Sequence, residues 1–251
     1  MRNYLWAECY KMLRRKYFYL SLLVCLALEG LMLWGSYLSY SWGNESINFP
    51  FNAAMVTSLL AVGLYACVIT GDIVFSDQYK NNTLKNEVAY GLPRVRIYLG
   101  KLLVAGLASL IAAVLMLGFY LGMCWILFPH TQADGTAWAL IGYCLAGALP
   151  LWLAGQALVN LFYFLIRSNT LAAFAVIGIF GVLAPVLQGF SLLLNPVFGT
   201  LRQYLPNVML ESLRSVAFQW DYLALCWVVG LIWGVGATVL GLVLFQKKEI
   251  N

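Results

Sequence analysis

Glu29 stands inside an apolar run that extends over residues 17–37. A carboxyl at that depth in hydrocarbon costs roughly 2.5–3.5 kcal/mol, so it marks a pathway, a proton relay or a structural hydrogen bond. Asp72 lies near the end of the next apolar run. Gln156 and Asn160 are four residues apart in a later one, hence on one helical face. They either line a pathway or join helices by hydrogen bonds. The remaining chemistry is concentrated at residues 76–101, SDQYKNNTLKNEVAYGLPRVRIYLGK. Bond-making machinery is missing from this set. The single histidine, His130, builds no metal cluster by itself, and the six cysteines form no C-x-x-C pair and read as small buried hydrophobes. Gly100-Lys101 runs into Leu102 without the upstream glycine of a phosphate loop. What these residues offer is recognition and the transmission of force.

The elements that hold them are written in the composition. The chain is 63% hydrophobic and 10% charged over 251 residues, against about 25% charged in soluble domains. Apolar stretches at 17–37, 53–75, 98–127, 137–166, 171–190 and 222–245 each have the length of a bilayer crossing. Backbone groups in hydrocarbon must be satisfied within the segment, and the alternation of a barrel is absent, so the spans are helices. The expectation is an all-α polytopic membrane protein with six spans. The third and fourth stretches approach 30 residues, about 45 Å at the helical rise, and must tilt or project. Pro150 is expected to kink the fourth. Gly118/Gly122 and Gly230/Gly234 are spaced for close helix packing.

Residues 1–16 place Leu5, Cys9, Met12 and Leu13 at helical spacing against Glu8, Lys11, Arg14 and Arg15, the pattern of an interfacial helix on anionic lipid. The basic cluster before residue 17 has the look of a signal-peptide start, but the apolar run is too long and ends in aromatics, so it reads as a retained span. Of the 15 basic residues, 13 fall on one side of the six-span arrangement, leaving only Arg202 and Arg214 on the other. By the positive-inside rule both termini are cytoplasmic. The net charge of +5 therefore belongs to membrane orientation, not to nucleic acid. In 191–221 the positions Met209, Leu213, Val216, Ala217 and Trp220 recur at helical spacing, which predicts short interfacial or re-entrant helices at the outer face.

The polar run itself predicts a short surface helix over residues 78–89. Ser76 or Asp77 would cap its start, Leu84 and Val88 form its apolar stripe, and Gly91 with Pro93 stops it. Asp77, Lys80, Thr83, Leu84, Lys85, Gly91, Arg94 and Lys101 together resemble the segment after the second span in type-2 ATP-binding-cassette permeases, among them bacteriocin- or lantibiotic-immunity and drug-export permeases. The resemblance implies a cytoplasmic coupling helix between spans two and three that rests on a separate ATPase subunit. Asp77, Lys80, Thr83, Leu84, Lys85, Glu87, Gly91, Arg94 and Arg96 would form that interface. Glu29, Gln156 and Asn160 remain as pathway or intramembrane polar groups. It further implies ATP and Mg bound by the partner ATPase and no cofactor on this chain. A second identical or homologous permease, a lipid environment and a bacterial plasma membrane belong to the same picture. The implied activity is export of an amphiphilic cargo: a hydrophobic or antimicrobial peptide, a drug or a lipid-linked molecule. An ion-coupled carrier using Glu29 and a non-transporting scaffold or sensor are the alternatives.

Overall fold

The computed structural model describes residues 2–75, 78 and 83–248. Among these residues there are eleven helices and no strand: α1 (Arg2–Leu13), α2 (Lys16–Ser41), α3 (Phe49–Ser58), α4 (Val62–Phe75), α5 (Thr83–Ala89), α6 (Arg94–Leu127), α7 (Asp134–Leu165), α8 (Asn169–Leu193), α9 (Val197–Gln203), α10 (Pro206–Ser212) and α11 (Trp220–Lys247). Five of them are long and apolar enough to cross a membrane, and α3 with α4 is so when taken together, as a pair bent by 62°.

That break departs from the continuous second span expected over 53–75. α3 starts earlier, where the Asn48 side chain caps the Phe51 amide and Pro50 occupies the first turn. At the bend the Leu60 carbonyl accepts from the Gly63 amide at 3.1 Å in a tighter turn, and the indole of Trp152 on α7 donates to it as well at 2.9 Å. The Trp152 ring lies so close to Gly63 that any Cβ there would overlap it. A kink with no proline of its own is thus held open from the neighbouring helix.

α7 is the central post, touching α3, α4, α6, α8, α10 and α11. Its closest neighbour is α11, and the contact is closest where Gly230 meets the backbone of Pro150: a Cβ on Gly230 would sit 2.7 Å from the Pro150 carbonyl carbon. Gly234 continues the same approach along Ala154. Among the described residues Gly118 and Gly122 have nothing within reach, so that pair packs no described helix. Around the post, α2 turns Leu20, Leu23, Leu28 and Leu31 outward, the surface expected of a helix bathed in lipid.

α9 and α10 fold back beside the post. The Trp233 indole donates to the Tyr204 carbonyl, Asn207 donates to the Phe180 carbonyl at 2.8 Å, and Leu213 fills the space over Gly147. Each of Trp233, Phe180 and Gly147 lies 13 residues from the end of its helix, about 20 Å along the axis. The segment therefore reaches the mid-length of α7, α8 and α11. Its return turn carries Phe218 at φ 63°, disfavoured for a bulky residue. The Tyr143 hydroxyl donates to the flanking Val216 and Gln219 carbonyls and holds that turn in place.

Because overpacking costs about 1–3 kcal/mol, Gly230→Leu is expected to lower the thermal unfolding temperature of the purified protein, while Gly236→Leu, which faces open space, leaves it unchanged. Equal behaviour of the two variants in a thermal-shift series would refute the α7–α11 contact.

Candidate functional site

Four charges gather where α1 lies against α5 and the start of α6. Lys101 is 0% exposed and its Nζ donates to Glu8 Oε2 at 2.9 Å. Glu8, itself buried, takes a second hydrogen bond from Lys11. Glu87 of α5 stands 3.6 Å from Lys11 and 3.9 Å from Lys101. The Tyr4 hydroxyl donates to Glu87 Oε2 at 3.1 Å. Two acids and two lysines balance. Burial works to raise the Glu8 carboxyl, but Lys101 and Lys11 outweigh it and hold the group below its ordinary value. Burial and the carboxylates of Glu8 and Glu87 push the Tyr4 phenol far above its usual range, so it stays a donor.

The local sequence explains the seating. Gly100 leaves room for the Tyr4 ring, which a side chain would displace. On α1, Tyr4, Leu5, Glu8, Cys9 and Met12 share one helical face, so the acid sits within the buried strip instead of on the polar side assigned to it by periodicity. Leu13, expected in the strip, is exposed. α5 is described from Thr83 onward, and the predicted cap at Ser76 or Asp77, together with Lys80, lies outside the described residues. Its end follows the predicted stop: Gly91 has φ 82°, and the Leu92 amide returns to the Glu87 carbonyl at 3.2 Å, closing a Schellman turn.

The residues expected at an outward interface divide into two groups. Thr83, Lys85, Gly91 and Arg96 are exposed, and beside them so are Asn86 and Tyr90, which were not in the expected set, Tyr90 at 88%. Leu84 is buried in the main core, and Glu87 points into the clamp. Arg94, expected to face a partner, instead donates to the Phe245, Gln246 and Lys248 carbonyls at 2.7–2.8 Å and lies over the Phe245 ring. It caps the end of α11, where carbonyls have no helical partner and a cation is favoured. Lys248 does the same for α7, donating to the Phe164 and Leu165 carbonyls. Arg15 donates to the Ile73 carbonyl of α4. One end of the bundle is thus cross-tied by basic side chains.

The intramembrane polar residues lie elsewhere. Gln156 and Asn160 share a buried face of α7. Gln156 Oε1 accepts from Thr70 at 3.1 Å and Ser109 at 2.8 Å, joining α4, α6 and α7 as hydrogen-bonding glue. The Asn160 side chain lies beside the Tyr98 hydroxyl. Glu29 belongs to a different region, near Tyr120, eleven residues beyond Ser109 on α6, about 16 Å away along the helix. No metal set of histidine, cysteine, aspartate or glutamate side chains forms among the described residues. Tyr4 and Tyr90 were not singled out by sequence reasoning, and Glu8 and Lys11 were read only as the polar side of α1. The available signals were the i,i+3 spacing of Glu8 with Lys11 and a lysine, Lys101, entering an apolar run.

The model of the family described as "ABC-2 family transporter protein" matches residues 4–184, a stretch that contains all the clamp residues. A search of curated proteins found no match.

Removing one partner of a buried pair leaves the other uncompensated, at about 3–5 kcal/mol, whereas an exposed ion pair is worth about 0–1 kcal/mol. Glu8→Leu should therefore release α1, read as lost amide-exchange protection over residues 2–13. Lys11→Met should change it little, and Glu8→Leu combined with Lys101→Met should restore most of it. Because the Glu8 carboxyl is held below its ordinary value of 4.5, its contribution is fully present above that pH and is lost as the pH falls through the lower folded value. Exchange in α1 should rise only under acid, and a rise between neutrality and pH about 6 would contradict the clamp.

Proposed function

This chain belongs to the ABC-2 family of transporter proteins, and from that premise we propose that it forms the membrane path of an ATP-driven exporter, worked through α5 by a separate ATPase subunit. The family makes it a multi-pass permease component of an ABC transporter, operating with an ATP-hydrolysing component. One observation supports the finer assignment. α5 is two-faced: Leu84 and Glu87 are fixed inward, while Lys85, Asn86 and Tyr90 project outward with Arg96 of α6. A helix of 7 residues has little stability of its own. Bolted to α1 and α6, it becomes a rigid knob.

In this reading the outward face docks on the ATPase, where ATP and Mg are bound, and Asp77 and Lys80 belong to the same docking segment. Tyr90 would be the aromatic anchor and Lys85 and Arg96 the charged rim, a division typical of interfaces. Closure of the ATPase would push α5, and the clamp would hand the displacement to α6. The termini, α1 and α5 face the cytoplasm of a bacterial cell, and α9 with α10 enters from the outer side as a re-entrant pair. A second identical or homologous permease completes the path. The cargo is amphiphilic (a hydrophobic or antimicrobial peptide, a drug or a lipid-linked molecule), in keeping with a nearly uncharged interior.

Purifying the chain from its native membrane should bring down a subunit bearing a phosphate loop. Tyr90→Ala and Lys85→Glu should each weaken that association by about tenfold or more without lowering thermal stability, whereas Arg94→Glu should lower stability because it removes the α11 cap. Full retention of the ATPase by the Tyr90→Ala, Lys85→Glu double variant would overturn the docking assignment.

A further inference from the structure

Basic side chains at the clamp end of the bundle finish on backbone: Arg94, Lys248 and Arg15 all donate to carbonyls. Arg214 does not. It lies in the turn between α10 and α11, and its Nη1 donates to the Ser58 hydroxyl oxygen at 2.6 Å. Ser58 is the last residue of α3 and stands at the edge of the 62° bend. Both side chains are exposed. Among the described residues Arg214 forms no ion pair, although Glu211 and Asp221 are close to it in sequence. No acceptor among them takes the Ser58 hydroxyl hydrogen either. The pair presents hydrogen-bond donors and a fixed positive charge together, at one point.

Its place gives that charge weight. Ser58 is nine residues beyond the start of α3, about 14 Å along the axis. Leu213, next to Arg214, packs over Gly147 at the mid-length of α7. The guanidinium thus lies alongside the spans, not past their ends, where a charged side chain is rare and costly unless paired. An acid in such a position could shed its charge by taking up a proton, but a guanidinium keeps its own. Water satisfies the N–H groups without neutralising them. A phosphate does both: it accepts parallel bonds from the guanidinium fork and has a further oxygen for the Ser58 hydroxyl. Leu59 and Val62, which follow Ser58 across the bend, are exposed apolar side chains, a surface suited to a hydrocarbon tail and not to a free ion. We propose that Arg214 and Ser58 form a recognition site for the phosphate head of an acidic amphiphile, held where the turn between α10 and α11 meets the bend between α3 and α4. The step from binding to transport rests on the exporter reading, whose cargo the site narrows to amphiphiles that carry phosphate.

The test uses the full-length chain without any ATPase in dodecyl maltoside micelles, which carry no phosphate, with radiolabelled dodecyl phosphate, dodecanol and dodecylammonium as probes. Saturable dodecyl phosphate binding at least about tenfold tighter than that of dodecanol is expected, with dodecylammonium weakest and with equimolar inorganic phosphate leaving the probe in place. Arg214→Gln should abolish the preference, and Arg214→Lys should keep only part of it because the fork is lost. Ser58→Ala should reduce it severalfold while dodecanol binding is unchanged. Equal binding of the three probes to the wild type, or an undiminished preference in Arg214→Gln, overturns the site. Displacement by equimolar inorganic phosphate makes it a free-anion site and overturns the amphiphile. If Arg214→Gln does not fold, an undiminished preference in Ser58→Ala has the same consequence as one in Arg214→Gln. Absence of the preference with ATPase co-purification intact would refute this site alone, whereas failure of that co-purification refutes the exporter reading.

Discussion

Lys101 and Glu8 are both withdrawn from water, and the position of everything at that end of the molecule follows from the need to keep them together. An isolated charge in such surroundings costs several kcal/mol, and the attraction between partners offsets this only at close range with further hydrogen bonds in place. The pair supplies those conditions: 2.9 Å between Lys101 and Glu8, with Lys11 on the second carboxylate oxygen. Such a pair adds little net stability compared with an apolar substitute, but it tolerates no partial separation. α1 must stay seated on α6, with Tyr4 tucked over Gly100. From there Tyr4 reaches Glu87 and fixes α5. A short helix that could otherwise drift on the surface is located by the neutralisation of a charge it does not carry.

A second constraint acts on the backbone. In hydrocarbon each carbonyl released by a helix end or a bend must find a donor, and this chain supplies them from long side chains on other helices. Trp152 serves the bend between α3 and α4, Trp233 serves the α9–α10 turn, and Arg94 and Lys248 serve the ends of α11 and α7. These contacts make irregular backbone tolerable at depth. They also use side chains that would look, from their charge alone, available to a partner.

This distinction sets what could be read from the sequence. The crossings were legible because each is a local run of apolar residues, and the stop of α5 was legible because Gly91 and Pro93 act on their immediate neighbours. Glu8 was misplaced because its partner is 93 residues away; with only its own helix in view, an acid belongs on the wet face. The bend after Ser58 had no local mark either, since the tryptophan that stabilises it is on α7. Arg94 illustrates the limit most clearly. The positive-inside pattern groups it with the other basic residues on one side, yet cannot distinguish an arginine that meets another protein from one that closes the end of α11.

The two constraints together determine how a push on α5 travels. Arg94 and Lys248 tie the starts and ends of α6, α11 and α7, and Arg15 ties α2 to α4, so this end of the bundle resists shear between helices. α4 is a poor conductor beyond that point, because the 62° break separates it from α3 and any motion must cross through Trp152. α6 has no such interruption. It is a continuous helix of 34 residues that holds Lys101 in the clamp near one end and Tyr120 against Asn52 near the other. Those two residues are 19 positions apart, about 28 Å at the helical rise. The helix anchored in the clamp is therefore the same one whose far end holds Tyr120 against Asn52.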